Sequence, residues 1–346
     1  MNITRYLRIL FAILILAGLF PTGIALADSL YIGDAGDNTV KQFDAGTGAF
    51  IGQFVQSTNP NLTGPMGLIF VGNPPNLLLV NQNANTSKSG DIFRYNGNTG
   101  AFIDAIVSHN NEDAPFAPRG MVLSNGILFV ASVVSDQHNN PGSVLAYDAT
   151  SGALVGTLTP DATFNHPFHP RGVVIGPDGL LYVSNVPNLP APDGTGLGGQ
   201  VLRFDPGTKA FIDVFIDDGG GVGHLNRPEG LVFGPNGNLY VTSFRADASD
   251  NDKILVFNGK NGVLLGGKTI DLDRVGQPRA SAQALLFGPD GFLFVPITNT
   301  GAVRRYNVAN KTFVNFVLPA AQKGPLGQPW YLTFGETDPG TLEYNP

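Results

Sequence analysis

Residues 169–185 read HPRGVVIGPDGLLYVSN, and residues 227–243 read RPEGLVFGPNGNLYVTS. Each is a short apolar run, a Gly-Pro-Asp/Asn-Gly turn, and a second run rich in Leu, Tyr and Val. A turn signal between two such runs reads as a β-hairpin. The same hairpin recurs as GPMGLIF (64–70) with NLLLVNQ (76–82), as APRGMVL (117–123) with GILFVAS (126–132), and as AQALLFGPDGFLFVPIT (282–298). A second hairpin follows each: 90–107, 142–159, 199–216, 252–270 and 301–317, mostly with Asn/Asp-x-x-Thr-Gly-like turns. Self-similarity at a fixed period governs the reading of a whole chain. Here Gly67, Gly120, Gly172 and Gly230 are spaced by 53, 52 and 58 residues.

Each unit therefore holds four short strands, named A to D in chain order. No segment sustains a 3.6-residue apolar period, so almost no helix is expected. Tandem four-stranded antiparallel units are the blades of a β-propeller. Five complete units lie between residues 64 and 317. QPWYLTFGE (328–336) reads as a lone strand A, while SLYIGD (29–34), TVKQFD (39–44) and GAFIGQFV (48–55) read as B, C and D. The fold expected is all-β: a six-bladed propeller whose last blade is shared by both termini. Such closure removes free sheet edges. Glycine near the start of strand A lets inner strands converge on the axis. Ala284 and Tyr331 replace it in the last two units, so the ring should be uneven there.

The N-terminus carries Arg5 and Arg8, an apolar run from Ile9 to Phe20, and Ala25-Leu26-Ala27 before Asp28. This is the pattern of a secretory signal peptide over residues 1–27, leaving a single propeller domain over 28–346. The apolar run is short of the ~20 residues a membrane span needs. Secretion or a periplasmic location follows. The net charge of −7 becomes −9 without the leader, and no basic patch exists, which argues against a nucleic-acid partner. There is no cysteine, hence no disulfide and no thiolate metal site.

The pattern P-x-G-[LV]-x-[FI]-G-P-[DN]-G-x-L-Y-V resembles NHL-type six-bladed propellers, among them the gluconolactonase/senescence-marker family and the streptogramin lyases. The resemblance covers nearly the whole chain after residue 27 and implies the fold. It also implies two activities: a metal-assisted lactonase, or a lyase acting at the channel mouth. The lactonases typically hold a divalent metal with a Glu, an Asn in P-N-G and an Asp after L-Y-V. Here Glu229 stands where that Asn would be, and Ser184-Asn185 and Thr242-Ser243 follow the strand. The lyases draw a catalytic His and Glu from the mouth. Glu229 corresponds, but no histidine occupies a P-x-G position.

The A–B and C–D turns are tight and share one face; the B–C and D–A loops are long and share the other. Long loops on a rigid scaffold carry function. All five histidines fall on that face: His109, His166, His169 and His224 in D–A loops, His138 in a B–C loop. The residue between Pro and Gly should ring the channel mouth: Met66, Arg119, Arg171, Glu229, Gln283 and Trp330. Arg119 and Arg171 on adjacent blades suit a carboxylate or phosphate, or else form a structural network with Glu229. His166 and His169 could ligate one divalent metal with His138, His224 or Glu229, or be hydrogen-bonded loop residues. Glu229, His169 and Arg171 are the catalytic candidates if there is a reaction. Trp330 either stacks on a ligand ring or plugs the channel beside Tyr331, and burial is the commoner fate. The GxGxxG match at 194–199 has no helix after it and reads as a loop. DASDND (247–252) lacks EF-hand spacing and reads as a solvated turn. The expected function is thus binding of a small anionic ligand or a protein partner at the mouth, with the lactonase or lyase as the alternative.

Overall fold

The computed structural model describes residues 29–58, 60–133, 142–187 and 198–345. Six four-stranded antiparallel sheets form the blades of a propeller. Only three single-turn 3-10 segments, at 266–268, 289–291 and 320–322, interrupt the strands among the described residues. Strands β4 (Pro65–Val71), β8 (Met121–Ser124), β12 (Pro170–Ile175), β16 (Leu231–Phe233), β20 (Leu286–Phe287) and β24 (Pro329–Phe334) are the innermost of the six sheets. The closing blade has the order β24, β1 (Ser29–Asp34), β2 (Thr39–Asp44), β3 (Phe50–Val55), so both termini share one sheet. The fourth full blade departs from even repetition. Its outer strand β19 is only Ile270–Asp271, because residues 266–268 coil into a 3-10 turn.

A buried clasp ties the two ends of the chain. Asp34 accepts from the backbone N–H of Gly327 (2.8 Å) and of Gln328 (2.7 Å). Lys41 donates to Asp34 at 2.6 Å and to the Pro325 carbonyl at 2.8 Å. Burial alone would raise the Asp34 carboxyl, but the lysine and the N–H groups of Gly327, Gln328 and Gly36 hold it below the usual aspartate value.

Aromatic triads join the blades. Tyr31 packs edge-on against Phe54 and Phe70, Tyr182 against Phe215 and Phe233, and Phe294 against Phe316 and Phe334, all with centroids 4.7–5.1 Å apart. In each triad one ring comes from strand B, one from strand D and one from strand A of the next blade. Such pairs add to the burial itself. Toward the axis, a Cβ on Gly67 would lie 2.9 Å from the Arg119 carbonyl oxygen, and one on Gly172 2.4 Å from that of Glu229. Glycine is what allows the inner strands to touch.

Residues beyond β24 have a role that the repeat does not announce. The segment folds back, with Thr337 bridging Tyr344. Its carbonyls at Pro339 and Gly340 accept from Leu123 (2.8 Å) and Ile175 (3.0 Å), at the far ends of β8 and β12. Leu342 thereby enters the axis and lines the central cavity with Leu68, Met121, Val173, Leu231, Leu285 and Leu332. That cavity is about 40 Å³. The channel is thus floored on the tight-turn face by the C-terminal segment.

Candidate functional site

A repeated backbone device aims side chains at the long-loop end of the axis. Pairing of β12 with β13 (Leu181–Asn185) jumps from Pro170 to Val173, and pairing of β4 with β5 (Asn76–Asn81) jumps from Pro65 to Leu68. The residue between Pro and Gly sits in each irregularity, and such bulges re-aim side chains. Ser184 and Thr242, the hydroxyls after the L-Y-V runs, fix the neighbouring backbone. Ser184 donates to the Glu229 carbonyl at 2.7 Å, and Thr242 accepts from the N–H of Glu229 and Gly230 at 3.2 and 2.9 Å. The next residue in each blade holds the D–A loop: Asn81 accepts from Thr63, Asn185 from His169, and Ser243 from Asn226. These positions are structural holders of loop backbone.

Four of the six residues at this register, Arg119, Arg171, Glu229 and Gln283, converge. Arg119 Nη1 lies 3.7 Å from Glu229 Oε2, Arg171 Nε lies 3.8 Å from Glu229 Oε1, and Arg119 Nη1 donates to Gln283 Oε1 at 3.3 Å. Both ion pairs are longer than a hydrogen bond. Tyr331 adds its hydroxyl from β24, within electrostatic reach of both arginines and Glu229. Arg171, Glu229 and Tyr331 are each more than nine-tenths buried. Yet Arg119 Nε, Arg171 Nε, Glu229 Oε2 and the Tyr331 hydroxyl have no hydrogen-bond partner. Native structures pair almost all buried polar atoms, so four orphans around one point are unusual. Burial, and then the like charge of Arg119, draw the Arg171 guanidinium down to about 10. Burial, and then Glu229, push the Tyr331 hydroxyl well up, so it is neutral.

The other two residues at this register stand apart. Met66 is fully buried in the apolar core and gives the mouth no surface. Trp330 is half-buried and shares an open cleft of about 710 Å³ with Arg119, Phe116 and loop residues 82–88. It is not the channel plug. Tyr331 and Leu342 occupy the axis instead.

The four described histidines do not join this cluster. His169 is buried, with Nδ1 at 2.9 Å from the Val186 carbonyl. His166 packs against Phe164, His224 lies 3.3 Å from Asp218, and His109 lies 2.9 Å from Asp91. His138 falls outside the described residues. Among the described residues no three His, Asp or Glu side chains gather as a metal-holding group. The mouth itself offers one carboxylate flanked by two guanidiniums, a donor set that repels a cation. A divalent metal does not fit there.

The Asp-rich stretch 247–252 is a solvated turn over residues 247–249 only, and its two later aspartates are buried. Asp250 is buried and paired with Lys253 at 2.5 Å. Asp252 is fully buried and accepts from Arg279 Nη2, Arg245 N and Ser281 N, each at 2.8 Å. Sequence reasoning also passed over Tyr331 as a site residue. Its signal was available: it is the bulky residue at a position that is glycine in four of the six blades.

No protein-family model matches the sequence, and no curated protein is similar enough to count as a relative. Solved structures do match. A chain of the nidogen/laminin complex superposes with TM-score 0.60 at 14% identity, over 89% of this chain and 98% of that one. The periplasmic gluconolactonase of Pseudomonas aeruginosa gives 0.56 at 18% identity, over 88% and 98%. Hydrazine synthase of Kuenenia stuttgartiensis gives 0.55 at 15% identity, over 81% and 74%. At such identities the likeness is one of architecture alone: the chain folds as a β-propeller, built here with six blades.

Proposed function

We propose that this protein is an exported propeller that binds a small anionic ligand at the long-loop mouth of its axis. The observation that carries the reading is the set of unpartnered buried atoms on Arg119, Arg171, Glu229 and Tyr331. Two guanidiniums against one carboxylate leave a positive excess in a nearly dry site. An anion would answer both needs, accepting charge-assisted hydrogen bonds from the two Nε–H groups. The floored axis supports a binding cup rather than a through-channel. The cleft beside Arg119 gives the rest of the ligand room, with Trp330 as an apolar wall.

Export rests on the leader-like residues 1–27, which lie outside the described residues. No helix among the described residues is long and apolar enough to cross a membrane. The secreted form should begin at Asp28, and its intact mass tests this.

Binding is tested by calorimetric titration of the mature protein with a small monocarboxylate such as propionate. Saturable binding is expected. Arg171→Ala should weaken it by ~2–4 kcal/mol, as for truncating one partner of a buried charge-assisted pair. Equal binding by wild type and variant, or none by either, would rule the reading out.

A further inference from the structure

The same atoms narrow the ligand's chemistry, and this step rests on the anion-binding reading above. Arg119 and Arg171 bring two positive charges to the mouth and Glu229 one negative, while Tyr331 is neutral. The cluster therefore carries one net positive charge. Uncompensated charge is unfavourable in a buried site. A monoanion neutralises it. A zwitterion leaves the excess in place, and a dianion reverses it.

Hydrogen bonding adds a second constraint. The unpartnered atoms are two obligate donors, Arg119 Nε and Arg171 Nε, one obligate acceptor, Glu229 Oε2, and the Tyr331 hydroxyl, which can serve as either. A simple carboxylate supplies acceptors only, so it would leave Glu229 Oε2 orphaned. The ligand must also bring a neutral donor. That donor must lie close to the carboxylate, because Glu229 stands within 3.7–3.8 Å of both guanidiniums. An ammonium would supply a donor but would fail the charge count.

We infer that the mouth recognises a hydroxy monocarboxylate with its hydroxyl on a carbon adjacent to the carboxylate. The carboxylate sits on Arg119 and Arg171, the hydroxyl donates to Glu229 Oε2, and the remainder extends along Trp330.

The test uses the full mature protein and four small probes of similar size at neutral pH: lactate, propionate, alanine and malonate. Binding is read by calorimetry and by the fluorescence of Trp330, the only tryptophan in the chain. Lactate should bind at least tenfold more tightly than propionate, with alanine and malonate both weaker than lactate. Glu229→Gln supplies the second readout, with melting measured to confirm that it folds. It raises the net charge of the cluster to two, so the order should invert and malonate should overtake lactate. A purely structural Glu229 would not produce that inversion. If propionate matches lactate in the wild type, the hydroxyl inference is overturned while anion binding stands. If alanine binds best, the site is zwitterionic and the inference is likewise overturned. If no probe binds, the anion-binding reading falls with it.

Discussion

Two buried charge clusters of this propeller differ in one respect that separates holding from binding. Around Asp252, Arg279 and the N–H groups of Arg245 and Ser281 all approach to 2.8 Å. Around Glu229, two guanidiniums stand 3.7 and 3.8 Å away, and atoms on both sides lack partners. The first cluster is saturated and ties 245–252 to the 279–281 segment of the next D–A loop. The Asp34–Lys41 clasp is of the same kind and ties the first blade strand to the last. The second cluster ties little: its one side-chain hydrogen bond is the 3.3 Å contact of Arg119 with Gln283. Its residues come from separate inner strands already fixed by Ser184, Thr242 and backbone contacts. Single unpartnered arginine nitrogens occur elsewhere, at Arg227, Arg304 and Arg305, but among the described residues only the mouth gathers unpartnered donors and an unpartnered carboxylate oxygen, and that combination is what points to a ligand.

The largest effect should come from breaking the clasp outright. Deleting residues 328–346 removes β24, the floor at Leu342, and the Gln328 N–H that Asp34 holds. Strand β1 becomes a free edge, and the axis loses its floor. No cooperative thermal transition and little soluble protein are expected. A truncated chain that melts like the full one would show that the terminal clasp does not hold the ring.

Asp252→Ala comes next. It strands the Arg279 guanidinium and two N–H groups at once. Removing one partner of a buried pair is strongly destabilising, here by about 3 kcal/mol because Arg279 keeps partial access to water. Chemical denaturation should record that loss with propionate affinity unchanged. A change in affinity instead would merge the two clusters that the geometry separates.

Acid should reveal the clasp in a milder way. The Asp34 carboxyl is held below its ordinary value of 3.8 in the folded protein. A carboxyl depressed by folding contributes stability that is fully present above its unfolded value and is lost as pH falls through its folded one. The Asp34 share should therefore persist at neutral pH and be lost progressively as pH falls below about 4. Asp34→Asn should lower stability at pH 7 and flatten the decline between pH 5 and 2. An unchanged acid limb would remove Asp34 from the account.

The propeller was legible because its evidence is periodic. Turn residues and apolar runs repeat in every unit and the inner glycine in four of the six, and the complementary ends predict a shared blade. The Pro-x-Gly register also placed Arg119, Arg171, Glu229 and Gln283 on one ring, since a repeat converts sequence position into angular position. What does not repeat was hidden. Nothing periodic foretold that Leu342 would fold back into the axis, or that Asp252 would be buried in a stretch composed like a surface turn. Met66 and Trp330 share the register of Arg171, yet one is core and the other lines a side cleft. Met66 and Arg171 even share the same bulge, so the side chain's own character and its neighbours, not its register, decide where it ends. Tyr331 was visible only as a broken rule, a large residue where most blades need glycine.

The smallest effect carries the opposite sign. Burial and Arg119 lower the Arg171 guanidinium to about 10 in the folded protein, against 12.5 ordinarily. A base lowered by folding is one whose charged form the fold disfavours. Below pH 10 it is protonated in both states, so the penalty is present in full at pH 7. Arg171→Met removes that charge and its repulsion with Arg119, leaves Arg119 to neutralise Glu229, and keeps an unbranched stem of similar length. Replacing poorly compensated buried charge by an apolar side chain is often neutral or stabilising. Melting should therefore hold steady or rise, by no more than about 1 kcal/mol in stability, while propionate binding is lost. Asp252→Ala and Arg171→Met would then move stability and affinity in opposite patterns, the first losing only stability and the second only affinity. A clear drop in melting for Arg171→Met would instead place Arg171 with Arg279 as a holder of structure, and the mouth would lose its claim to a ligand.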